Sequence, residues 1–128
     1  MLIKIVDDDQ VFVKKIKDIV YDNFKDIFLD YSIDCITSRF EDRYFEKGDI
    51  FFLDIQMNGL NGMDVARRIR EFDNNVEIIF TTSVLDYVCE GYEVNAYRYM
   101  LKPIEYNIFK NNMGKCIENI IKKKNDFL

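Results

Sequence analysis

The sequence predicts an α/β fold: a single doubly wound, five-stranded parallel sheet with helices on both faces. Short apolar runs alternate with longer segments of helical periodicity, and this pairing recurs five times in succession. One run, Ile50–Leu53, is apolar throughout, as expected for a strand that is covered on both faces. The 128 residues suffice for one domain of this kind and are too few for two ordinary ones, so residues 1–128 are expected to form a single domain.

The elements follow from these patterns in chain order. The strands are predicted at Leu2–Val6, Ile33–Thr37, Ile50–Leu53, Val76–Phe80 and Tyr97–Leu101. The helices are predicted at Gln10–Phe24, Arg39–Glu46, from Asn61 to Phe72, from Ser83 through Glu93, and at Ile104–Lys124. Asp9 and Asn61 are of residue types that cap helix N-termini. In the last helix, the predicted apolar stripe consists of Ile108, Met113, Ile117 and Ile120/Ile121.

Composition excludes several classes of function. The net charge is −5, and a net basic segment from Leu101 onward leaves the rest of the chain more acidic still. An acidic body argues against nucleic-acid binding by this domain's own surface. The chain has no histidine, which excludes a Ser-His-Asp or Cys-His nucleophile and any histidine-ligated metal. A metal must then be held by oxygen, which favours Mg²⁺ or Ca²⁺.

The cysteines and the N-terminus indicate a cytoplasmic protein. Cys35, Cys89 and Cys116 are odd in number and far apart, which is typical of reduced thiols. The apolar start of the chain runs directly into three aspartates, unlike a signal peptide. Because no apolar run reaches membrane-spanning length, no direct membrane contact is expected.

Polar residues stand where the predicted strands end. In doubly wound folds, ligands bind beyond the carboxyl ends of the strands. The polar strand ends are Asp7-Asp8-Asp9 after the first strand, Asp54 after the third, Thr81-Thr82-Ser83 after the fourth, and Lys102-Pro103 after the fifth. We therefore expect carboxylates, a hydroxyl and one ammonium to meet at one edge of the sheet.

Such an edge fits phosphoryl chemistry. Asp7, Asp8 and Asp54 would repel one another unless a hard cation such as Mg²⁺ lay between them. Lys102 could pair with one phosphoryl oxygen, and the Thr82 hydroxyl could donate to another. Asp54 could then act as the nucleophile and form an acyl phosphate.

Five motifs in this order resemble the landmarks of response-regulator receiver domains, the phosphoacceptor domains of two-component systems. They are Ile5-Val6-Asp7-Asp8-Asp9, Phe52–Met57, the glycines Gly59 and Gly62, Ile79–Ser83, and Tyr99–Pro103. The motifs span nearly the whole chain, and their separations suit single βα units. The resemblance implies a flavodoxin-like (βα)5 fold with the strand order 2-1-3-4-5. Two positions depart from the usual pattern: Asn58, where the family often has Pro, and Ser83, where Ala is common.

The resemblance also implies a metal site and a phosphoacceptor. Asp54 would accept the phosphoryl group. Asp8 would bind Mg²⁺ directly, and Asp7 would assist through water. Asp54 and the backbone carbonyl of Gln56 would complete the protein ligands.

The remaining implied roles lie on the fourth and fifth strands. Lys102 would hold the phosphoryl group, and its peptide bond to Pro103 would be cis. Thr82 would sense the phosphoryl group, and Tyr99 would change rotamer with it. The surface of the fourth helix, fifth strand and fifth helix would switch as a result.

The segment from Asp86 to Ile104 is similar to receivers that precede LytTR-type DNA-binding domains. This narrower resemblance implies a sensor histidine kinase as phosphodonor and transcription as the output. Nucleic acid would be contacted only through an output domain outside this chain, and phosphorylation could drive homodimer formation. The chain would be a stand-alone receiver or a fragment of such a regulator.

Three alternatives remain open at this point. Asp7-x-Asp9-x-Val11 fits the opening motif of haloacid-dehalogenase-like phosphohydrolases, which would place the nucleophile on Asp7. That interpretation gives Asp54 no role and lacks a late acidic pair. A flavodoxin-like redox module shares the fold, but its phosphate loop would not be acidic. A pseudo-receiver that is not phosphorylated would lack a pocket residue, whereas the acidic residues and the lysine are present here.

Overall fold

A computed structural model describes residues 1–25, 30–36, 47–57, 60–83 and 93–126. Its strands are β1 (Leu2–Val6), β2 (Ser32–Ile36), β3 (Ile50–Leu53), β4 (Gln56–Met57), β5 (Leu60–Asn61), β6 (Glu77–Thr82) and β7 (Arg98–Leu101). Its helices are α1 (Gln10–Phe24), α2 (Gly62–Phe72) and α3 (Tyr106–Asp126).

The main sheet has five parallel strands in the order β2-β1-β3-β6-β7. Counted along the chain without the short strands β4 and β5, this is the predicted order 2-1-3-4-5. Strands β4 and β5 form a separate antiparallel hairpin that the sequence did not predict, because two-residue strands carry no readable alternation. The predicted α/β fold is confirmed.

Two apolar clusters cover the two faces of the sheet, as alternation along each strand requires. On one face, Ile3 and Ile5 of β1 pack with α1 and α3. On the other face, Val6 of β1 and Leu53 of β3 pack with α2. Burial on both faces explains why β3 reads as an uninterrupted apolar run.

The predicted boundaries of β1, α1 and β3 match the structure, and those of the other described elements shift by one or two residues. The last helix begins at Tyr106 rather than Ile104, because the Glu105 carboxylate accepts hydrogen bonds from the N–H groups of Asn107 and Ile108. Ile108 was wrongly placed in the buried stripe, since its side chain is exposed. Phe109 occupies the buried position, one turn before Met113.

Several predictions lie outside the described residues. These are the helix at Arg39–Glu46, most of the helix from Ser83 through Glu93, and positions Asn58, Gly59 and Cys89.

Within the described part, no helix is both long and apolar enough to cross a bilayer. Both described cysteines are free thiols: Cys35 is exposed, and Cys116 is buried.

Candidate functional site

The aspartates are brought together by the parallel pairing of β1 with β3. Val6 lies beside Leu53, so the next residues, Asp7 and Asp54, leave the sheet side by side. Sheet-like hydrogen bonds continue through both: the Asp54 N–H donates to the Val6 carbonyl at 3.0 Å, and the Asp7 N–H donates to the Ile36 carbonyl at 3.2 Å. The backbone therefore fixes where both side chains emerge.

Three carboxylates form a compact acidic cluster at this edge. One carboxylate oxygen from each of Asp7, Asp8 and Asp54 lies within 4.8 Å of the others. Asp7 and Asp54 are buried, whereas Asp8 is exposed. Carboxylate oxygens at this spacing match the ligands that a hard divalent cation takes in proteins. The cluster thus fits the predicted Mg²⁺ site, with Asp8 on its open side.

Asp9 shapes the loop that carries the first two aspartates. Its carboxylate caps α1 by accepting from the N–H groups of Val11 and Phe12, at 3.0 and 3.2 Å. Its own N–H donates to the Asp7 carboxylate at 2.9 Å. Asp9 therefore serves as a helix cap, which leaves Asp7 and Asp8 directed at the cluster.

Lys102 brings the ammonium group to the cluster. Its Nζ lies 2.8 Å from Asp7 Oδ2 and 3.5 Å from Asp54 Oδ2. Its backbone N–H donates to the Thr82 carbonyl at 2.7 Å, which fixes the end of β7 against the end of β6. The peptide bond between Lys102 and Pro103 is cis, as expected. The Lys102 ammonium thus lies against two carboxylates of the cluster.

Burial and close spacing shift the pKa values of two of these carboxylates. Burial raises the pKa of Asp7, although the hydrogen bond from Lys102 opposes this shift. Burial also raises the pKa of Asp54, and the neighbouring Asp7 charge adds to it. Lys102 opposes that increase without cancelling it. A further cation would relieve this strain.

The β4–β5 hairpin and the start of α2 pack against Asp54. The Gln56 N–H donates to the Asp54 carboxylate. A Cβ atom on Gly62 would lie 2.1 Å from the Asp54 carbonyl oxygen, so only glycine allows α2 to begin this close. The side chain of Asn61 caps α2 by accepting from the Met63 N–H at 2.8 Å. The chain turns sharply here and keeps Asp54 at the strand end.

Thr82 and Tyr99 lie on the two strands beyond β3. Thr82 is the last residue of β6 and is fully buried. Tyr99 on β7 is half-buried and pairs in register with Phe80, with ring centroids 6.0 Å apart. Thr82 therefore ends the strand between those that carry Asp54 and Lys102, and Tyr99 packs on the sheet face covered by α2.

The structure brings together Asp7, Asp8, Asp54 and Lys102, as the strand ends predict. The sequence did not identify one neighbour, Phe12, whose ring centroid lies 4.2 Å from Lys102 Nζ. Its position in the sequence could have indicated this contact. Phe12 lies three residues after the capping Asp9, in the turn of α1 that follows the acidic loop.

Comparison with known proteins places this geometry in a family. The sequence profile of the response regulator receiver domain matches residues 3–113. The sensory transduction protein LytT of Bacillus anthracis is 30% identical over 105 residues, which are 82% of this chain and 43% of LytT. The chain therefore spans less than half the length of this curated relative.

Solved structures share the fold. The response regulatory domain of protein mrkE from Klebsiella pneumoniae superposes with a TM-score of 0.81 at 22% identity, covering 95% of this chain and 99% of that domain. TrrA from Thermotoga maritima, solved in complex with Mg²⁺-BeF, gives a TM-score of 0.71 at 24% identity over 90% of this chain and 97% of TrrA. At these identities, the likeness shows the fold alone.

The phosphohydrolase alternative gains no support from these matches or from the site. Asp9 caps α1, and Asp54, which that alternative leaves without a role, lies within the acidic cluster. The profile match covers most of the sequence and includes every residue of the cluster. The chain therefore belongs to the response regulator receiver domain family, the signalling domains of two-component systems.

Proposed function

We propose that this domain accepts a phosphoryl group on Asp54 from a sensor histidine kinase in a Mg²⁺-dependent reaction. The observation that carries the proposal is the cluster of Asp7, Asp8 and Asp54, with the ammonium of Lys102 against two of its members. Two of these carboxylates are buried, and burying unbalanced negative charge is costly. A fold keeps such a cluster where a cation compensates it.

The residues present fit Mg²⁺. Asp8 and Asp54 would bind the ion directly, Asp7 would assist through water, and the Gln56 carbonyl would add an oxygen ligand. Bound Mg²⁺ would neutralise charge on the incoming phosphoryl group. Asp8 is the exposed member of the cluster, so its carboxylate is accessible to an ion that enters from solvent.

Asp54 is placed to act as the nucleophile. A carboxylate oxygen attacks the phosphorus atom and forms a new P–O bond, while the bond from phosphorus to the donor's leaving atom breaks and its electron pair leaves with the donor. Lys102 Nζ, already 3.5 Å from Asp54 Oδ2, would pair with one phosphoryl oxygen. The same pocket would also support the slower hydrolysis that removes the group.

The phosphoryl group would be sensed by Thr82 and Tyr99. A Thr82 hydroxyl drawn toward a phosphoryl oxygen would move the loop after β6, and Tyr99 on the adjacent strand would change rotamer. A switch needs two states that one charged group biases. A few charge-assisted hydrogen bonds, at about 1.5–3 kcal/mol each, supply much of that bias.

The output would be transcription. LytT is a sensory transduction protein, and this chain corresponds to 43% of its length. The receiver would then control a DNA-binding domain outside this chain, and phosphorylation would promote homodimer formation through the surface that includes β7 and α3. Light scattering with and without beryllofluoride tests this part: an unchanged mass in solution would contradict phosphorylation-driven dimerisation.

The phosphoacceptor is tested by intact-mass spectrometry. Incubation with acetyl phosphate and Mg²⁺ should add one phosphoryl mass to the wild-type protein and none to Asp54→Asn. Glu77→Gln is the matched control, because Glu77 is another buried carboxylate of the sheet, at the start of β6. It should label like wild type. Labelling of Asp54→Asn at the wild-type rate would refute the proposal.

A further inference from the structure

Phe12 lies at a fixed position beside the acidic loop. It belongs to the first turn of α1, and its N–H donates to the capping Asp9 carboxylate at 3.2 Å. The side chain is buried in the apolar cluster beneath α1, whose aromatic members also include Phe52 and Phe109. The ring is therefore held both by the helix cap and by the core.

The ring meets the ammonium group of Lys102 across the site. Lys102 Nζ lies 4.2 Å from the Phe12 centroid, well inside the range in which a cation is attracted to the negative face of an aromatic ring. The Lys102 side chain is only 19% exposed, so water screens this attraction weakly. Within the part of the chain that the structure describes, Nζ also donates hydrogen bonds to Asp7 and Asp54.

The three partners of the Lys102 ammonium differ in whether they remain available to it during the proposed reaction. Asp7 and Asp54 are carboxylates that the proposed Mg²⁺ and phosphoryl group would engage. The aromatic ring binds neither. When Mg²⁺ and the phosphoryl group engage the two carboxylates, the Lys102 ammonium keeps its contact with the Phe12 ring.

We propose that Phe12 is a positioning residue for Lys102: its ring face holds the ammonium beside Asp54 while the carboxylates are occupied. This inference rests on the function proposed above and goes beyond it, because it gives part of the phosphorylation rate to an apolar side chain of α1. An aliphatic residue of similar size would fill the same space without attracting the cation.

The contact itself is tested by NMR. Protons of the Lys102 ε-methylene should be shifted upfield by the ring, and their signal is assigned by its loss in Lys102→Met. Phe12→Leu should abolish the upfield shift. Phe109→Leu is the matched control, because Phe109 is buried in the same cluster and stacks on Phe52, with centroids 5.5 Å apart. It should preserve the shift.

The consequence is tested by the rate of labelling with acetyl phosphate and Mg²⁺. Phe12→Leu should label roughly threefold to tenfold more slowly, and Phe109→Leu should label like wild type. Progressive fluorination of the ring at position 12 removes its negative face with little change of shape, so the logarithm of the rate should fall with each added fluorine. The same series at position 109 should leave the rate unchanged.

The outcomes separate this inference from the proposed function. If wild type labels on Asp54 but both fluorinated series give the same response, Phe12 acts through packing and the positioning role is wrong. If the ε-methylene shift survives in Phe12→Leu, the contact is absent and the inference also fails. If the wild-type protein does not label at all, both the proposed function and the positioning role of Phe12 fail, whatever the NMR result.

Discussion

The two edges of the sheet each hold a buried acid paired with a lysine, and the pairs differ in what surrounds them. At the carboxyl edge, Lys102 Nζ lies 2.8 Å from Asp7 Oδ2. At the amino edge, Lys123 Nζ lies 2.7 Å from Glu77 Oε1 and 3.1 Å from the Asn75 carbonyl oxygen. The two ion pairs have nearly equal lengths.

Their charge balance is different. Glu77 and Lys123 neutralise each other, and the pair joins α3 to the start of β6. Lys102 instead shares one positive charge between Asp7 and Asp54, and the Asp8 carboxylate lies in the same cluster. The comparison teaches that the length of a salt bridge does not identify a functional site. A cluster of neighbouring carboxylates whose pKa values are raised by burial is the better indicator.

The largest expected effect is on the free energy of unfolding, when alanine replaces a glycine in a crowded region or in an open one. Gly62→Ala should lower the free energy of unfolding by about 3 kcal/mol, because the new Cβ would meet the Asp54 carbonyl at 2.1 Å and backbone must move. Gly114→Ala in α3 should raise it by about 0.5–1 kcal/mol, since its nearest contact would be Asn23 Oδ1 at 4.0 Å. Urea denaturation measures both, and equal effects would contradict the close approach.

The strand ends were predictable from sequence, whereas the pairing of side chains was not. The apolar run Ile50–Leu53 and the largely apolar run Leu2–Val6 place both aspartates correctly, because burial on both faces of the sheet imposes those patterns. The cation–π contact of Phe12 depends on where α1 packs, and no local pattern records that. Glu77 falls within the predicted strand Val76–Phe80, but its ion pair with Lys123 was not predicted, because the two residues lie far apart in sequence.

The next effect is the response to Mg²⁺. At a hundredfold excess over the dissociation constant, Mg²⁺ should stabilise the wild-type protein by about 2.7 kcal/mol. Asp8→Asn should lose most of this gain, and because Asp8 is exposed, the substitution leaves the core intact. Glu77→Gln should keep it. Thermal melts with Mg²⁺ or EDTA test this, and a full Mg²⁺ response in Asp8→Asn would remove Asp8 from the site.

Substitutions that break the two regions should have opposite signs. Without Mg²⁺, Asp54→Asn should raise the free energy of unfolding by on the order of 1 kcal/mol, because it removes a buried charge that the neighbouring Asp7 carboxylate repels. Lys123→Met should lower it by about 1 kcal/mol, because buried Glu77 loses its partner, although Lys123 is half exposed. The same sign for both would mean that the carboxyl edge is as well compensated as the amino edge.

The smallest effect is the dependence of stability on pH. Burial raises the pKa of Asp54 and of Asp7 above the usual 3.8, so the folded protein holds more protons than the unfolded chain between the ordinary and the raised values. The free energy of unfolding should therefore fall as pH rises through that window in EDTA. Asp54→Asn should show a shallower decline in urea titrations, and an equal or steeper decline would contradict the burial argument.

The central claim is that the carboxylate cluster at the carboxyl edge marks a phosphoacceptor at Asp54. The most direct measurement is to label the wild-type protein with acetyl phosphate and Mg²⁺, reduce the acyl phosphate with borohydride and map the modified residue by peptide mass spectrometry. The account predicts modification at Asp54 and none at Glu77, the buried acid of the balanced pair. Modification at Asp7, where the phosphohydrolase alternative places its nucleophile, would contradict it.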